Sequence, residues 1–488
     1  MGAKTPGAWT PEDRTPGAST PILDALIRHV QAAVCPLHVP GHRQGRLLPA
    51  PLALWLGQAA KLDLTELPGL DDLQQPDGCI AASQALAAAW YGSEACWYSV
   101  NGSTAGVMAA LMAAVPEGGK VLFLNPCHQS AWRGVLWSGA VPAFWPPRYS
   151  PALRSVLPPT ADDAAAALAA HPDTAAVFLT SPTYQGWVAP VGEIAQVVHA
   201  AGKPLLVDEA HGAHLGLAPG LPPHSVAAGA DVVVQSVHKL LPGLTQTAWV
   251  HCQGPRVAPE RVAEMLRLLQ TTSPSYLLLA SIDAVQAWLR TDGASTAARA
   301  LTAVAAFWAE AGPVDAGLPP GIRRDPLRHW QPVPSRAAGA DLQRRLAAAG
   351  VVPEYGDALG VLSIFGLGAR EADVARYLEV WRAWAAAWGM RGAGDDLPSA
   401  WWDELFANLA APFALPPRQA FHRPRTRVPV RAAAGRVCAQ PVTPYPPGVP
   451  VIWPGQRFSP ALCEAIAALA DMGLALHGLA DGCAWVLA

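Results

Sequence analysis

Short aliphatic runs recur along this chain, each ending on polar or charged residues and each followed by a longer stretch with one apolar face. Pro204-Leu-Leu-Val207 leads into Asp208, and Asp231-Val-Val-Val-Gln-Ser-Val237 leads into His238 and Lys239. Runs of this kind between Gly/Pro clusters predict strands buried on both faces, as in a parallel sheet under helices. Cys96–Val100, Lys120–Leu124 and Ala175–Leu179 predict further strands, with polar clusters at Asn101–Gly106, Asn125–His128 and Thr180–Gly186. Helical patterns cover Pro21 to about Ala33, Cys79 to Tyr91, Asn101 to about Val115, Val257 to Trp288 with a break at Ser273–Tyr276, and Thr296 to Ala311. Repeated strand-helix units of this spacing predict an α/β fold with a mostly parallel sheet.

A second, smaller α/β unit is expected from strand-like segments near Val351 and at Gly360–Phe365, with helices at Asp341–Ala349 and Arg370–Trp388. The Gly/Asp-rich Arg391–Asp396 is the best boundary signal after it. Prolines in Thr443–Pro450 forbid regular helix and dictate an extended path. The chain therefore divides into an N-terminal segment (1–60) whose first 20 residues form a flexible lead-in, a large domain (61–295), a small α/β domain (296–395) and a C-terminal α+β domain (396–488). Two loops stand out: Leu37–Gly45, with a Pro-Gly turn among His38, His42 and Arg43, and Asp63–Leu73, acidic with leucines able to fold onto a core.

Composition narrows the function classes. With 488 residues the chain exceeds a single core. A net charge of −3 points to neither nucleic acid nor an anionic membrane. Only 15% of residues are charged and 51% are hydrophobic, which favours extensive burial and subunit contacts, although an alanine bias explains part of it. The eight cysteines lack metal-ligand spacing and read as buried thiols in a reducing compartment, with no metal site expected. The N-terminus lacks a signal-peptide pattern, and no apolar run reaches the roughly 18 residues that span a bilayer. A cytoplasmic protein is expected.

The candidate chemistry lies at the strand ends, where parallel sheets bind ligands. An Asp and a Lys presented there together suit pyridoxal phosphate, since a lysine amine can form a Schiff base and a carboxylate can hold a pyridine nitrogen protonated. Asn101-Gly-Ser-Thr-Ala-Gly106, between a strand and a helix, is a phosphate site in physical terms: free backbone N–H groups, a positive helix end, and the Ser103 and Thr104 hydroxyls. Either hydroxyl could instead cap the helix.

Taken in order, the Pro40-Gly-His-Arg-Gln-Gly45 turn, Glu66–Leu73, Asn101–Gly106, Thr180–Tyr184, Asp208-Glu-Ala-His-Gly-Ala-His214, Ser236-Val-His-Lys239, Thr272–Tyr276 and Pro444-Tyr-Pro-Pro-Gly448 carry a family likeness. The chain resembles the Orn/Lys/Arg decarboxylases, pyridoxal-phosphate enzymes of fold type I, especially shorter bacterial forms without an N-terminal wing domain. The resemblance implies Lys239 as the Schiff-base lysine, Asp208 on the pyridine nitrogen, His128 stacked on the ring and Ala210 against its other face. It further implies Ser103, Thr104, Ser236 and His238 on the phosphate, and His211 near the substrate. The reaction implied is decarboxylation of arginine, lysine or ornithine, a step of polyamine biosynthesis, with Lys239 or a nearby histidine returning the proton. A homodimer or larger homo-oligomer is implied, with Ser273–Tyr276 reaching the neighbour's site. An aminotransferase or other lyase of the same fold would share the Asp, the Lys and the phosphate loop, and a non-catalytic relative would not need them intact. Gln440 and Gln456 stand where acidic residues are common in the family. Two glutamines near one site would suit a less cationic substrate, unless Glu66, Asp71, Asp72, Glu209 or Glu354 supplies the charge.

Overall fold

The computed structural model describes residues 18–32, 34–389, 407–445, 448–471 and 473–488. The aliphatic runs become the centre of a seven-stranded sheet: β1 (Ala95–Ser99), β2 (Lys120–Phe123), β3 (Val141–Phe144), β4 (Thr174–Thr180), β5 (Leu205–Asp208), β6 (Val232–Ser236) and β7 (Ala248–Cys252), in the spatial order β1-β7-β6-β5-β4-β2-β3. β3, β2, β4, β5 and β6 pair in parallel, and β7 runs antiparallel to both β6 and β1. The sheet is thus mostly parallel, as expected. Register sets Thr180 beside Asp208 and Asp208 beside Val234, which aligns the carboxyl ends on one rim.

Because strand side chains alternate, the sheet builds two cores. Leu122, Val177, Leu205, Val207 and Val233 face one hydrophobic cluster, while Val121, Phe123, Phe178, Leu206, Val232 and Val234 face the other. Each fully buried aliphatic side chain contributes roughly 1.5–3 kcal/mol. The first face is covered partly by α1 (Pro21–Gln31) and α3 (Cys79–Tyr91), whose extents match the helical patterns. The short α2 (Ala50–Leu56) buries none of its residues. On the second face α4 (Gly102–Ala114) and α5 (Gln129–Ser138) lie side by side. Gly106 brings α4 onto the sheet, since a Cβ there would stand 2.7 Å from Val234 and 2.8 Å from Val250.

The expected acidic loop does fold onto the core, with Leu64, Leu70 and Leu73 buried. Helices Pro259–Leu269 and Tyr276–Trp288 flank the break at Ser273, and Ala294–Ala311 leads out of the sheet. A three-stranded antiparallel sheet follows, Arg328–Pro332 with Gly360–Ile364 and Tyr355–Gly356. The strand expected near Val351 does not form: Val352 is exposed in coil, and pairing starts only at Tyr355, where the turn at Asp357 folds back on Gly360. Arg328–Pro332 went unforeseen because RHWQP carries no aliphatic run. Its burial rests on the aromatic cluster of Phe307, His329, Tyr377 and Trp381.

The first 17 residues and the Arg391–Asp396 boundary lie outside the described residues. Near the C-terminus Arg425–Pro429 pairs with Cys483–Leu487 over helix Pro460–Asp471, around a separate hydrophobic cluster. Trp453 joins this unit to the main sheet by packing against Phe123 and Phe144. All eight cysteines are free thiols, and not all are buried as expected: Cys35 is exposed and Cys79 and Cys483 half-buried. Among the described residues no helix is long and apolar enough to cross a membrane, and no cluster of metal-ligating side chains is found.

Candidate active site

A cavity of about 820 Å3 opens at the rim where the parallel strands end. Ser103, Thr104, His128, Asp208, Ala210, His211, His238 and Lys239 all line it, so the separated sequence motifs meet in one place. Ser236 stands just behind, its hydroxyl donating to Ser103 Oγ at 2.9 Å.

β5 delivers Asp208 directly at its end, where burial pushes the carboxyl's pKa up and the Lys239 charge pulls it back. Its Oδ1 accepts a hydrogen bond from Ala210 N at 3.1 Å. Lys239 sits on the helical turn Val237–Leu240 that continues from β6. Its side chain is open to the cavity yet surrounded by the fold. Loss of bulk water pushes its pKa down to about 8, with Asp208 opposing and Arg328 reinforcing the shift. His128 caps α5, its Nδ1 accepting from Ser130 N at 3.2 Å, and burial followed by the Lys239 and Arg133 charges holds it neutral, down to about 4. The cap leaves the ring's proton on Nε2.

His238 Nδ1 donates to the Thr247 carbonyl at 2.9 Å. The amino end of α4, with Gly102, Ser103 and Thr104 on the wall, offers unpaired backbone N–H groups. His211 Nε2 is 3.0 Å from Lys239 Nζ, and its Nδ1 is 2.8 Å from a guanidinium nitrogen of Arg328. Burial first, then the Lys239 and Arg328 charges, press the His211 pKa far down.

These residues fit pyridoxal phosphate. Asp208 is a nearly fully buried carboxylate whose hydrogen bond comes from a neutral amide, so it suits a cationic ring N–H. The helix end and hydroxyls suit a phosphate, and the lysine lies in the same cavity.

Of the five acidic candidates for a distal cation, Glu354 alone lines the cavity, with its Oε1 accepting from Tyr184 OH at 2.7 Å. Asp71 is committed to backbone N–H groups at the start of α3, Asp72 to Gln74 N, and Glu209 to Ser225 and Gln235. Glu66 accepts from Thr65 and is not part of the wall. Asp357, unforeseen, also lines the cavity, but its Oδ1 accepts from Leu359 N and Gly360 N.

The two glutamines are not part of this cavity. Gln456 is fully buried, accepting from Trp453 N and donating to the Asn408 and Leu409 carbonyls, and neither it nor Gln440 lines the cavity. The Pro40–Gly45 turn is also elsewhere, held by His42 to Asp63 and Gly45 N. Arg328 and its partner Asp325 were missed; they stand in the charged Arg323-Arg-Asp-Pro-Leu-Arg328, which reads as an ordinary solvated loop.

The family model for the Orn/Lys/Arg decarboxylase major domain matches residues 20–310, and that for the C-terminal domain of the same enzymes matches residues 402–480. The chain is 32% identical over 473 residues to the uncharacterized protein YaaO of Bacillus subtilis, covering 94% of this chain and 96% of that one. It is 31% identical over 474 residues to an arginine decarboxylase of the same organism, covering 95% and 96%. Among solved structures, the Francisella novicida lysine decarboxylase LdcF superposes with a TM-score of 0.80 at 17% identity, over 96% of this chain and 81% of that one. The Escherichia coli constitutive lysine decarboxylase gives 0.78 at 21%, over 96% and 82%.

Proposed function

The chain belongs to the Orn/Lys/Arg decarboxylase family, and from that premise we propose that it removes the α-carboxyl group of arginine or lysine, ahead of ornithine, with pyridoxal phosphate as cofactor. The enzyme is a decarboxylase of basic amino acids that depends on this cofactor. The observation that carries the substrate reading is the Glu354 carboxylate in the cavity that also holds Lys239 and Asp208.

Pyridoxal phosphate, when bound, supplies an aldehyde for amines and a ring that takes up the electron pair left on Cα when CO2 departs. The protein's part is to hold and orient. Lys239 would provide the amine that joins the cofactor, and Asp208 would hold the proton on its ring nitrogen. Ser103, Thr104 and His238, backed by Ser236 and the amino end of α4, would hold the phosphate. His128 and Ala210, both on the cavity wall, would confine the ring. Glu354, oriented by Tyr184, receives the distal cation of the substrate. Burial of Asp208 makes its charge effective, because fewer waters screen it.

The deciding experiment is CO2 release from arginine, lysine, ornithine and neutral amino acids by the purified holoenzyme. Release from arginine or lysine is expected. No release from any basic amino acid, with release from a neutral one, overturns the substrate class.

We further propose a homodimer and a cytoplasmic location. The exposed Leu52, Leu54 and Trp55 of α2 support the first, as unburied large apolar side chains grouped on one segment do at subunit interfaces. The lack of membrane-spanning helices among the described residues is compatible with the second.

A further inference from the structure

Arg328 touches His211, the histidine that touches Lys239, and it is fully buried. Its position is over-determined. One guanidinium nitrogen donates to the Tyr184 carbonyl at 3.1 Å, and the other to the His211 carbonyl at 3.1 Å and to His211 Nδ1 at 2.8 Å. Nε lies 3.2 Å from Asp325 Oδ2, which is 3.0 Å from His214 Nε2; both are close contacts whose angles are not those of straight hydrogen bonds. Gly186, at φ +93°, backs the side chain so closely that a Cβ would stand 3.0 Å from Arg328 Cδ.

An arginine keeps its proton in proteins, so every nitrogen facing outward donates. His211 Nδ1 must therefore accept, which leaves the neutral ring's single proton on Nε2. That proton points along the 3.0 Å contact to Lys239 Nζ. An ammonium there would set donor against donor, whereas a free amine accepts. We infer that Arg328 is a positioning residue that sets the polarity of the chain Arg328 to His211 to Lys239, locking His211 in its Nε2–H form and favouring the amine form of Lys239, whose lone pair can accept that proton's hydrogen bond. This rests on the reading of Lys239 as the lysine that joins the cofactor.

Several charges face Lys239. Asp208 at the end of β5 and Glu354 before Tyr355 both favour the ammonium, while Arg328 and the neighbouring His128, His211 and His238 do not. Two carboxylates would make an ordinary lysine a poor nucleophile at neutral pH. The polarity of the His211 contact, with burial, works against them. A free amine condenses with an aldehyde by forming a carbon–nitrogen double bond, the carbonyl oxygen leaving as water with the two amine protons. His211, barred from a second proton by Arg328, cannot serve as an imidazolium acid.

The test measures capture of pyridoxal phosphate by the apoenzyme across pH, read by the absorbance of the linkage and by borohydride trapping. In the wild type, capture is expected to be half-maximal near pH 8. Arg328→Met should raise that midpoint by about one unit or more and slow capture at pH 7 roughly tenfold, one unit being a factor of ten in free amine. Arg328→Gln, an uncharged donor, should recover most of the midpoint; if it instead tracks Arg328→Met, charge alone acts and the polarity inference is wrong. An unchanged midpoint in Arg328→Met also overturns it. Should the arginine variants misfold, His211→Gln, which keeps an acceptor for Arg328 and a donor for Lys239, is expected to hold the midpoint that His211→Phe raises; equal shifts in the two refute the inference. Nitrogen NMR of the wild-type apoenzyme gives a reading free of variants of Arg328: His211, assigned by its loss in His211→Gln, should be protonated on Nε2 alone at pH 7, and an Nδ1–H signal overturns the inference. Trapping that persists in Lys239→Ala would sink the lysine assignment separately, leaving the His211 tautomer measurement standing.

Discussion

Glu354 differs from the other acidic candidates in what its carboxylate touches. A single phenol, Tyr184, donates to it, and the rest of the side chain is open to the cavity. Tyr184 is in turn held in its neutral form, since burial and the Glu354 charge push its pKa up. Loss of a charged hydrogen-bond acceptor for a cation costs about 1.5–3 kcal/mol. Glu354→Gln should therefore raise KM for basic substrates roughly 10- to 100-fold with a smaller change in kcat, as steady-state kinetics will show. A KM that stays at the wild-type value would remove Glu354 from substrate binding. Asp208→Asn should retain cofactor, measured by absorbance after dialysis, and lose most turnover, because an amide cannot stabilise a ring N–H+.

Lys239 and Asp208 were legible because an aliphatic run ran into each of them, and the run announced the strand end. Arg328 was not, because nothing in Arg-His-Trp-Gln-Pro marks a buried strand, and a buried guanidinium is tolerable only once Asp325 and three carbonyl or imidazole acceptors surround it. Asp325 is local, but the three acceptors come from Tyr184 and His211, more than a hundred positions away. Gln456 misled for the opposite reason: the side chain that looked like a substituted site residue is instead a buried connector of backbone groups.

At the scale of elements, α4 shows how tightly the proposed phosphate cradle depends on packing behind it. Gly106 lets the helix lie against β6 and β7, and any side chain there must push the amino end outward. Gly106→Ala should cost about 1–3 kcal/mol from overpacking and weaken cofactor retention, measured by denaturant melts and by equilibrium dialysis of pyridoxal phosphate. Stability loss with unaltered retention would show that the cradle tolerates the shift. The antiparallel β7 escaped the sequence reading, since Ala-Trp-Val-His-Cys interrupts the aliphatic signal with a tryptophan and a histidine. The fold nonetheless buries every one of its residues, with Trp249 Nε1 donating to Gln235 and His251 Nδ1 meeting Ser93 Oγ.

At the scale of the whole molecule, opposing titrations shape the response to pH. Burial holds His128 and His224 at about 4 and His251, with His224 adding to it, at about 3. Their folded values lie below the unfolded one near 6.5, so the stability they confer is present above that pH and lost as pH falls. Glu209, raised to about 7, and Asp283, raised to about 6, act in the other direction, their stability being greatest in acid and lost as pH rises through those values. Between pH 5 and 7 the two sets offset. Glu209→Gln removes one carboxyl, so its Tm should rise more from pH 5 to pH 7 than that of the wild type, as calorimetry at the two pH values will show. Sedimentation should find a dimer that Trp55→Glu, placed on the unburied α2, weakens; a fully active monomer of the wild type would rule the dimer out.

The wall of the cavity also draws on the far end of the chain. Pro444, Tyr445, Val449 and Leu474 line it, and the Gly448 carbonyl accepts from Gln129 N beside His128. β1, made early, hydrogen-bonds within the sheet only to β7, made much later. On the ribosome, then, the lysine emerges long before its chamber is complete, and a nascent chain carries an amine without an enclosure. Competence arrives late in translation, when the C-terminal unit closes over α5, so a truncated message yields a protein that holds most of the reactive groups and lacks the room in which they act.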